Sequence, residues 1–278
     1  MINKTKIIAT IGPSTSSKEM LRKIIQRGVN VCRINFSHVS HSEAKEIIDN
    51  IKEVNKQINT HTAILADLQG PKIRVGNFEK PIKLKKGSYI YFNTTQKQPN
   101  DIFISYSNFA KDVKKGDRVL LDDGKLSLLV ENSNGKNRVK LKVVFGGLLK
   151  SNKGVNLPNT DISLPCLTKK DKIDLNFLLE QKIEWIGLSF VRSAEDVKKL
   201  KTIIKRHKKS QALVIAKIEK PEAINDIENI ILASDAIMVA RGDLGVEVPL
   251  HKVPVFQKMI VQKCIKQSKP DFDVVSRY

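Results

Sequence analysis

Four short stretches hold the residues whose types and spacing could do chemistry. Arg33, Asn35 and Ser37 alternate with Cys32, Ile34 and Phe36, so in an extended chain the polar three share one face and the apolar three the other. A polar face on an apolar strand is costly unless it meets a ligand, and the planar fork of Arg33 suits a phosphate group. A surface antiparallel strand would carry the same alternation. The run Asp67-Leu68-Gln69-Gly70-Pro71-Lys72-Ile73-Arg74 sets an acid and two cations close together; a solvated loop would also read this way. Ala216-Lys217-Ile218-Glu219 places a cation and a carboxylate on one strand face, which makes either a structural ion pair or a site for metal and phosphate. Arg241-Gly242-Asp243-Leu244-Gly245 closes another apolar run. Arg241 and Asp243 would alternate there, and the glycines would let backbone amides approach an anion. Glu219 and Asp243 together match the way Mg²⁺ is held, by one or two carboxylates completed with substrate and water. Neither the Walker P-loop nor the Gly-rich dinucleotide fingerprint occurs, so phosphate is expected to rest on Arg, Lys and metal.

Such groups form one site only if a scaffold gathers the strand ends. Thr5 to Ile11, Val29 to Phe36 and Thr62 to Leu68 read as strands. The first two are followed by helical patterns, the second opened by the capping box Ser40-His41-Ser42-Glu43 and the first by Ser16-Ser17-Lys18-Glu19. From about Lys72 to Leu164 the period shortens to alternating strands, with turn signals at Lys86-Gly87, Lys115-Gly116, Asp123-Gly124 and Asn134-Gly135. Strand and helix then alternate again, through Trp185 to Phe190, Leu213 to Ile218 and Ala236 to Ala240. The pattern predicts an α/β protein: a TIM-type barrel with about six β/α units, short of the eight a closed barrel needs. A small β lid interrupts it after the third strand. The boundaries expected are 1–70 and 166–278 for the barrel and 71–165 for the lid, with Pro71 and Pro165 as hinge limits.

Composition narrows the function classes. Hydrophobic residues make up 41% of 278 and aromatics only 5%, which suits an aliphatic parallel-sheet core. The net charge of +20 attracts phosphate, yet only ten of the 49 basic residues are Arg and no aromatic-interleaved patch occurs. A dedicated nucleic-acid role is therefore not expected. Cys32, Cys166 and Cys264 lie far apart without a C-x-x-C pair, which argues against a disulfide framework and for a reducing cytoplasm. Cys32 is expected to be a buried small hydrophobe. No stretch approaches the roughly 20 apolar residues of a membrane span, and Met1 to Gly12 reads as a first strand, not a signal peptide.

Six motifs in order, from about residue 4 to Pro270, resemble the pyruvate kinase family. They are Thr10-Ile11-Gly12-Pro13-Ser14, Asn30 through His38, Gly70-Pro71-Lys72-Ile73-Arg74, Lys153-Gly154-Val155-Asn156-Leu157-Pro158, Ala216-Lys217-Ile218-Glu219 and Met238 through Glu247. The resemblance implies transfer of a phosphoryl group from phosphoenolpyruvate to ADP, giving pyruvate and ATP in the last step of glycolysis, by a cytoplasmic enzyme that in its family is commonly a homotetramer. It also implies roles. Glu219 and Asp243 would bind Mg²⁺ or Mn²⁺, Lys217 would stabilise charge on the transferring group, and Arg33 would hold the phosphoryl group. Gly242 and Asp243 would border the substrate carboxylate. Arg74 and Lys153 would reach nucleotide phosphates from the lid, with Pro13 and His38 near the nucleotide. Asn35, Ser37 and Asp67 match the ligands of a monovalent cation. Many members have Glu where Lys72 stands, so the Lys72 ammonium is expected to replace K⁺. Replacing Lys217 is expected to stop turnover while sparing the fold. After Lys269-Pro270 the family continues into a strand ending Ala-Thr-Gln, whereas this chain reads Asp271 to Tyr278; strands seven and eight and the C-terminal domain are expected to be missing. The alternative is thus an inactive truncated remnant of such an enzyme. A metal-dependent carbon–carbon lyase barrel would share the acidic strand ends, but the inserted β region and the Lys72/Arg74 pair argue against it.

Overall fold

The computed structural model describes residues 5–95, 100–158, 160–207 and 210–273. Three β/α segments open the chain: β1 (Ile7–Ile11), α1 (Lys18–Gln26), β2 (Val29–Asn35), α2 (His41–Ile58) and β3 (Ala63–Asp67). Ser40 and Glu43 form a full capping box on α2. The cap of α1 is Ser17, which accepts from the amide of Met20; Glu19 instead turns outward to Lys23, so no reciprocal box forms there. Past the lid come α3 (Lys169–Glu180), β4 (Trp185–Leu188), α4 (Ala194–Arg206), β5 (Leu213–Ile218), α5 (Pro221–Asn225), α6 (Ile227–Ala233), β6 (Ala236–Val239), α7 (Arg241–Glu247), α8 (Val253–Lys266) and β7 (Asp271–Asp273).

The seven strands form one parallel sheet in chain order. A short β7, paired to β6 through Ile237–Asp271, Met238–Phe272 and Val239–Asp273, corrects the expectation that strand seven is missing and adds to the six expected. Val274 to Tyr278, the rest of the segment that departs from the family pattern, lie outside the described residues. Alternation along the strands sorts side chains into two layers. Cys32, Ile34, Phe36, Ile64, Ala66, Leu68, Val214, Ala216 and Ile218 pack outward against the helices. Val31, Leu65, Ile215, Ala236 and Met238 pack inward. Arg33, Asp67 and Lys217 continue that inward face beyond the apolar layer, at the carboxyl ends of their strands. The sheet curls without pairing β1 to β7 among the described residues. Between them opens a cavity of about 770 Å³, bounded by Ile7, Ile8, Met238 and Phe272 and floored by Arg33, Lys217 and Asp243. Cys32 is fully buried in the outer layer, and burial pushes its thiol up to about 12. All three cysteines are free and buried. Among the described residues no helix is long and apolar enough to cross a membrane.

Between β3 and α3 the chain builds a separate, mostly antiparallel β body, in which Tyr89–Asn93 and Ile102–Phe103 pair parallel. Strands Tyr89–Asn93, Ile102–Phe103, Arg118–Leu121, Leu126–Ser133, Arg138–Phe145 and Val155–Asn156 make a six-stranded sheet, with its own core of Phe92, Phe109, Val119, Leu128, Val130 and Leu141 among others. Its longest hairpin turns at Asn134-Gly135, where Gly135 takes φ +65° and Asn134 Oδ1 accepts from the amides of Lys136, Asn137 and Arg138. Asparagine and glycine are the residues that tolerate such a turn.

Two helices differ from the sequence expectation. α3 breaks the apolar period because Asp171 and Asp174 face inward. Asp171 completes the Thr168 capping box and accepts from the Gly70 amide at 3.0 Å. Asp174 pairs with Lys170 at 2.5 Å and His41 at 2.8 Å. α7 occupies the stretch read as an extended strand end, so Arg241 and Asp243 are not strand-alternate neighbours; both stand in the first turn of a helix.

Candidate active site

The strand ends converge on one buried ammonium. Lys217, from the last turn of β5, donates to Ser189 Oγ at 2.7 Å and lies 2.9 Å from Glu219 Oε1 and 3.1 Å from Asp67 Oδ1. Only 8% of Lys217 is exposed. Burial alone would drive its proton off, but the carboxylates of Glu219 and Asp67 outweigh burial and hold the ammonium above the ordinary lysine value. Asp67, at the end of β3, also accepts from Arg33, at 2.8 Å to Nε and 2.5 Å to Nη2. Arg33 Nη1 reaches Thr10 Oγ1 on β1 at 2.8 Å. Ser189, the first residue past β4, donates to the Leu68 carbonyl at 2.7 Å. Five consecutive strands, β1 to β5, are thereby tied at their carboxyl ends through one polar network.

Glu219 is the least satisfied member. Its Oε2 accepts from the Phe190 amide at 2.9 Å, and that amide is aimed by a left-handed Phe190, φ +56°. A residue of this kind rarely adopts that conformation without cause. Oε1 is fully buried, and no donor hydrogen is directed at it. Burial raises the Glu219 carboxyl, and the nearby Asp243 and Asp67 raise it further, against the opposing effect of Lys217. With Asp243 counted, three carboxylates face the two cations Arg33 and Lys217. Among the described residues no cluster of three or more His, Cys, Asp or Glu could cage a metal. A pair of carboxylates with an under-neutralised oxygen still fits a hard divalent cation that takes its other ligands from substrate and water. Asp243 supplies the second carboxylate from the start of α7, exposed to the same cavity as Lys217 and Arg33. Beside it a Cβ on Gly242 would meet nothing within 4 Å, so the space over that turn is open.

The remaining expected residues lie around this network. Asn35 stands opposite Asp67 in the β2–β3 register, and its Oδ1 accepts from the Ser37 amide at 3.1 Å. Ser37 is half-buried, while His38 and Pro13 are exposed in the loops after β2 and β1. Arg74 and Lys153 point into lid contacts, Arg74 to the Asn152 carbonyl at 3.0 Å and Lys153 to Asp122 at 2.7 Å. Neither touches the Lys217 network. Lys72 lines the crevice between lid and barrel together with Gly154, Asn156, Lys220, Asp243 and Glu247. Its ammonium forms no ion pair among the described residues, and a Cβ added at Gly154 would meet its Cε at 3.7 Å.

Several functional-looking groups escape sequence reading. Ser189 and the Phe190 amide follow β4 directly, and treating every strand end alike would have found them. Thr10 sits on β1 opposite Arg33. Lys220 and Glu247 form a buried ion pair of 2.7 Å between residues with no sequence proximity. Arg192 holds the returning lid segment, donating to the carbonyls of Ile162 at 2.6 Å and Leu164 at 2.5 Å.

The charge deficit generates a direct expectation. Mn²⁺ titrated into the protein and followed by electron paramagnetic resonance should bind, and the Glu219→Gln/Asp243→Asn double variant should lose that binding. Equal affinity in the double variant would place the cation elsewhere.

The family model described as pyruvate kinase, barrel domain, matches residues 2–275. A pyruvate kinase of Staphylococcus aureus (strain MRSA252) is 42% identical over 273 residues, 97% of this chain and 46% of its own length. A pyruvate kinase of Clostridium perfringens (strain 13 / Type A) is 42% identical over 272 residues, 96% of this chain and 57% of its own. The chain thus spans about half the length of these relatives. With residues 2–275 matched by the barrel-domain model, the chain belongs to the pyruvate kinase family.

Proposed function

We propose that the protein transfers the phosphoryl group of phosphoenolpyruvate to ADP, at the carboxyl ends of β2, β3, β5 and β6, with the lid at 71–165 closing over a barrel of 1–70 and 166–278. The observation that carries this reading is Lys217, a fully charged ammonium buried among Asp67, Glu219 and Ser189 on the floor of an open cavity. Phosphoryl transfer asks mainly for positioning and for fixed positive charge where negative charge develops.

Arg33 is clamped by Asp67 and Thr10 through Nε, Nη2 and Nη1. A guanidinium has five N–H groups, so one hydrogen on each terminal nitrogen remains to bind phosphoryl oxygens as a pair. Lys217 donates to Ser189 at 2.7 Å and to Asp67 at 3.2 Å and lies 2.9 Å from Glu219 Oε1, so its Asp67 contact is the longest. Substrate binding would exchange that weakest contact for a phosphoryl oxygen. A divalent cation held by Glu219 and Asp243 would neutralise charge on the same oxygens. Gly242 and Asp243, over open space, border the substrate carboxylate, and Arg74, Lys153, Pro13 and His38 surround the nucleotide. Lid closure would keep out water that otherwise intercepts the phosphoryl group.

Lys217→Met is expected to slow pyruvate formation by a factor of about 10²–10³ or more, the cost of one preorganised donor. The structure corrects the expectation that the fold is untouched. Removing the ammonium strands Asp67 and Glu219, and breaking a buried pair costs on the order of 3–5 kcal/mol. Turnover is therefore compared with Lys217→Arg, which keeps the charge, at a temperature where both variants are folded by circular dichroism. Undiminished turnover in a folded Lys217→Met would remove this residue from the mechanism.

The free ammonium of Lys72 at the mouth of the crevice supports a further reading, that a fixed positive charge takes the place of K⁺ near Asn35, Ser37 and Asp67. Steady-state rates should be the same in K⁺-free and K⁺-containing buffer at equal ionic strength. Strong activation by K⁺ with Lys72 intact would contradict it.

A further inference from the structure

We infer that Glu247 is a positioning residue that sets the lid against the barrel, through one carboxylate oxygen shared between the two bodies. Glu247 Oε1 accepts from Lys220 Nζ at 2.7 Å and from Asn156 Nδ2 at 2.8 Å. Lys220 belongs to the barrel, directly after Glu219. Asn156 belongs to the lid, in the strand Val155–Asn156 that follows Lys153. Glu247 ends α7, whose first turn carries Gly242 and Asp243. The side chains of Lys220 and Glu247 are only 7% and 1% exposed, so the junction is shielded from water and its charges depend on each other.

Among the described residues the lid is also held to the barrel at its two chain crossings. The first is held where the Gly70 amide meets Asp171 at 3.0 Å. The second is held where Arg192 grips the Ile162 and Leu164 carbonyls. Two crossings alone allow a swing about the line that joins them, and a third attachment removes that freedom. Glu247 supplies it, and the same neighbourhood brings the lid turn at Gly124 against α7, where an added Cβ would lie 3.8 Å from Val246 Cγ1. A hydrogen bond to a buried carboxylate is stronger than a neutral one, yet it is a single bond on the lid side. The lid can therefore be set in place and still released. Glu247 Oε2 is buried without a partner, so Lys220 alone neutralises the charge and must stay for Asn156 to find a carboxylate there.

For the proposed reaction, on which this part rests, the junction links three groups: Glu219 through Lys220, Asp243 through α7, and Lys153 through Asn156. Swinging the lid away from Glu247 withdraws Lys153 and Arg74 from the barrel while leaving Arg33 and Lys217 in place. The nucleotide is the ligand that feels the change.

The test avoids Lys220 and Glu247 themselves, whose removal leaves a buried charge, and alters only the lid partner. Because the native cysteines are buried, spin labels can be placed at Lys142→Cys on the lid and Lys56→Cys on α2, both exposed positions. Pulsed dipolar spectroscopy then reads the lid–barrel distance without any need for turnover. Asn156→Ala is expected to broaden the distribution toward longer distances, and Asn156→Asp, which sets a second carboxylate against Glu247, to lengthen it further. Distributions that superimpose on the parent in both variants would overturn the inference. In the turnover assay Asn156→Ala should raise KM for ADP several-fold and leave KM for phosphoenolpyruvate unchanged. Equal rises in both would mark a disturbance of the whole site and not of the lid alone, and would also overturn it. A parent without turnover would count against the proposed reaction alone, and the distance measurement would still decide the junction.

Discussion

A charged lysine buried among carboxylates is the interaction on which the rest of this structure depends. An ammonium out of water is tolerated only when opposite charge and hydrogen bonds replace its hydration. Asp67, Glu219 and Ser189 do so from three different strands. The arrangement is reciprocal, since the buried Asp67 and Glu219 share Lys217 as their cation and Asp67 also pairs with Arg33. Moving any one of these strands by a register step would turn its polar group outward and leave the others unpaired. The contacts that hold these strand ends together are thus the same ones that form the site proposed for phosphoryl transfer, where Glu219 and Asp243 would hold a cation.

The parallel sheet makes this possible by bringing carboxyl ends together while keeping an apolar layer beneath them. Val31, Leu65, Ile215 and Met238 close the interior one residue pair below Arg33, Asp67, Lys217 and Ala240. The polar network thus rests on an apolar base and borders the 770 Å³ cavity. The body between β3 and α3 packs its own core, separate from that of the barrel. A body with its own core is suited to moving as a unit.

Much of the site was legible in the sequence because strand alternation is a strict geometric rule. Arg33 against Cys32 and Ile34, and Lys217 with Glu219 against Ile218, announced their faces from spacing alone. What escaped reading has identifiable physical causes. α3 was hidden because Asp171 and Asp174 occupy the positions where an apolar stripe would show, although Thr168 and Asp171 stand at capping-box spacing. α7 reads as a strand end because Arg241 and Asp243 alternate around Gly242 after the apolar run of β6. Gly245 lies close under Leu250, where a Cβ would come 3.0 Å from Leu250 Cδ1. Lys220, Glu247 and Asn156 meet only through the folded chain, and no local pattern could pair a barrel lysine with a lid asparagine. The lid cations Arg74 and Lys153 were identified by resemblance, and their partners Asn152 and Asp122 come from neighbouring loops that spacing does not relate.

The charge state of Lys217 tests this account most directly. Its side-chain nitrogen can be followed by heteronuclear NMR through an alkaline titration, with Lys217→Arg identifying the signal. A free lysine loses its proton near pH 10.4, and burial without compensation would bring that value down by several units. The expected result is an ammonium that persists above the ordinary value, because Glu219 and Asp67 outweigh the burial. By linkage, its stabilising contribution is then complete below the unfolded lysine value and is lost only as pH rises through the higher folded one. Deprotonation at or below the ordinary value would mean that the carboxylates do not hold Lys217 charged, and the basis for a preformed phosphoryl site would be gone.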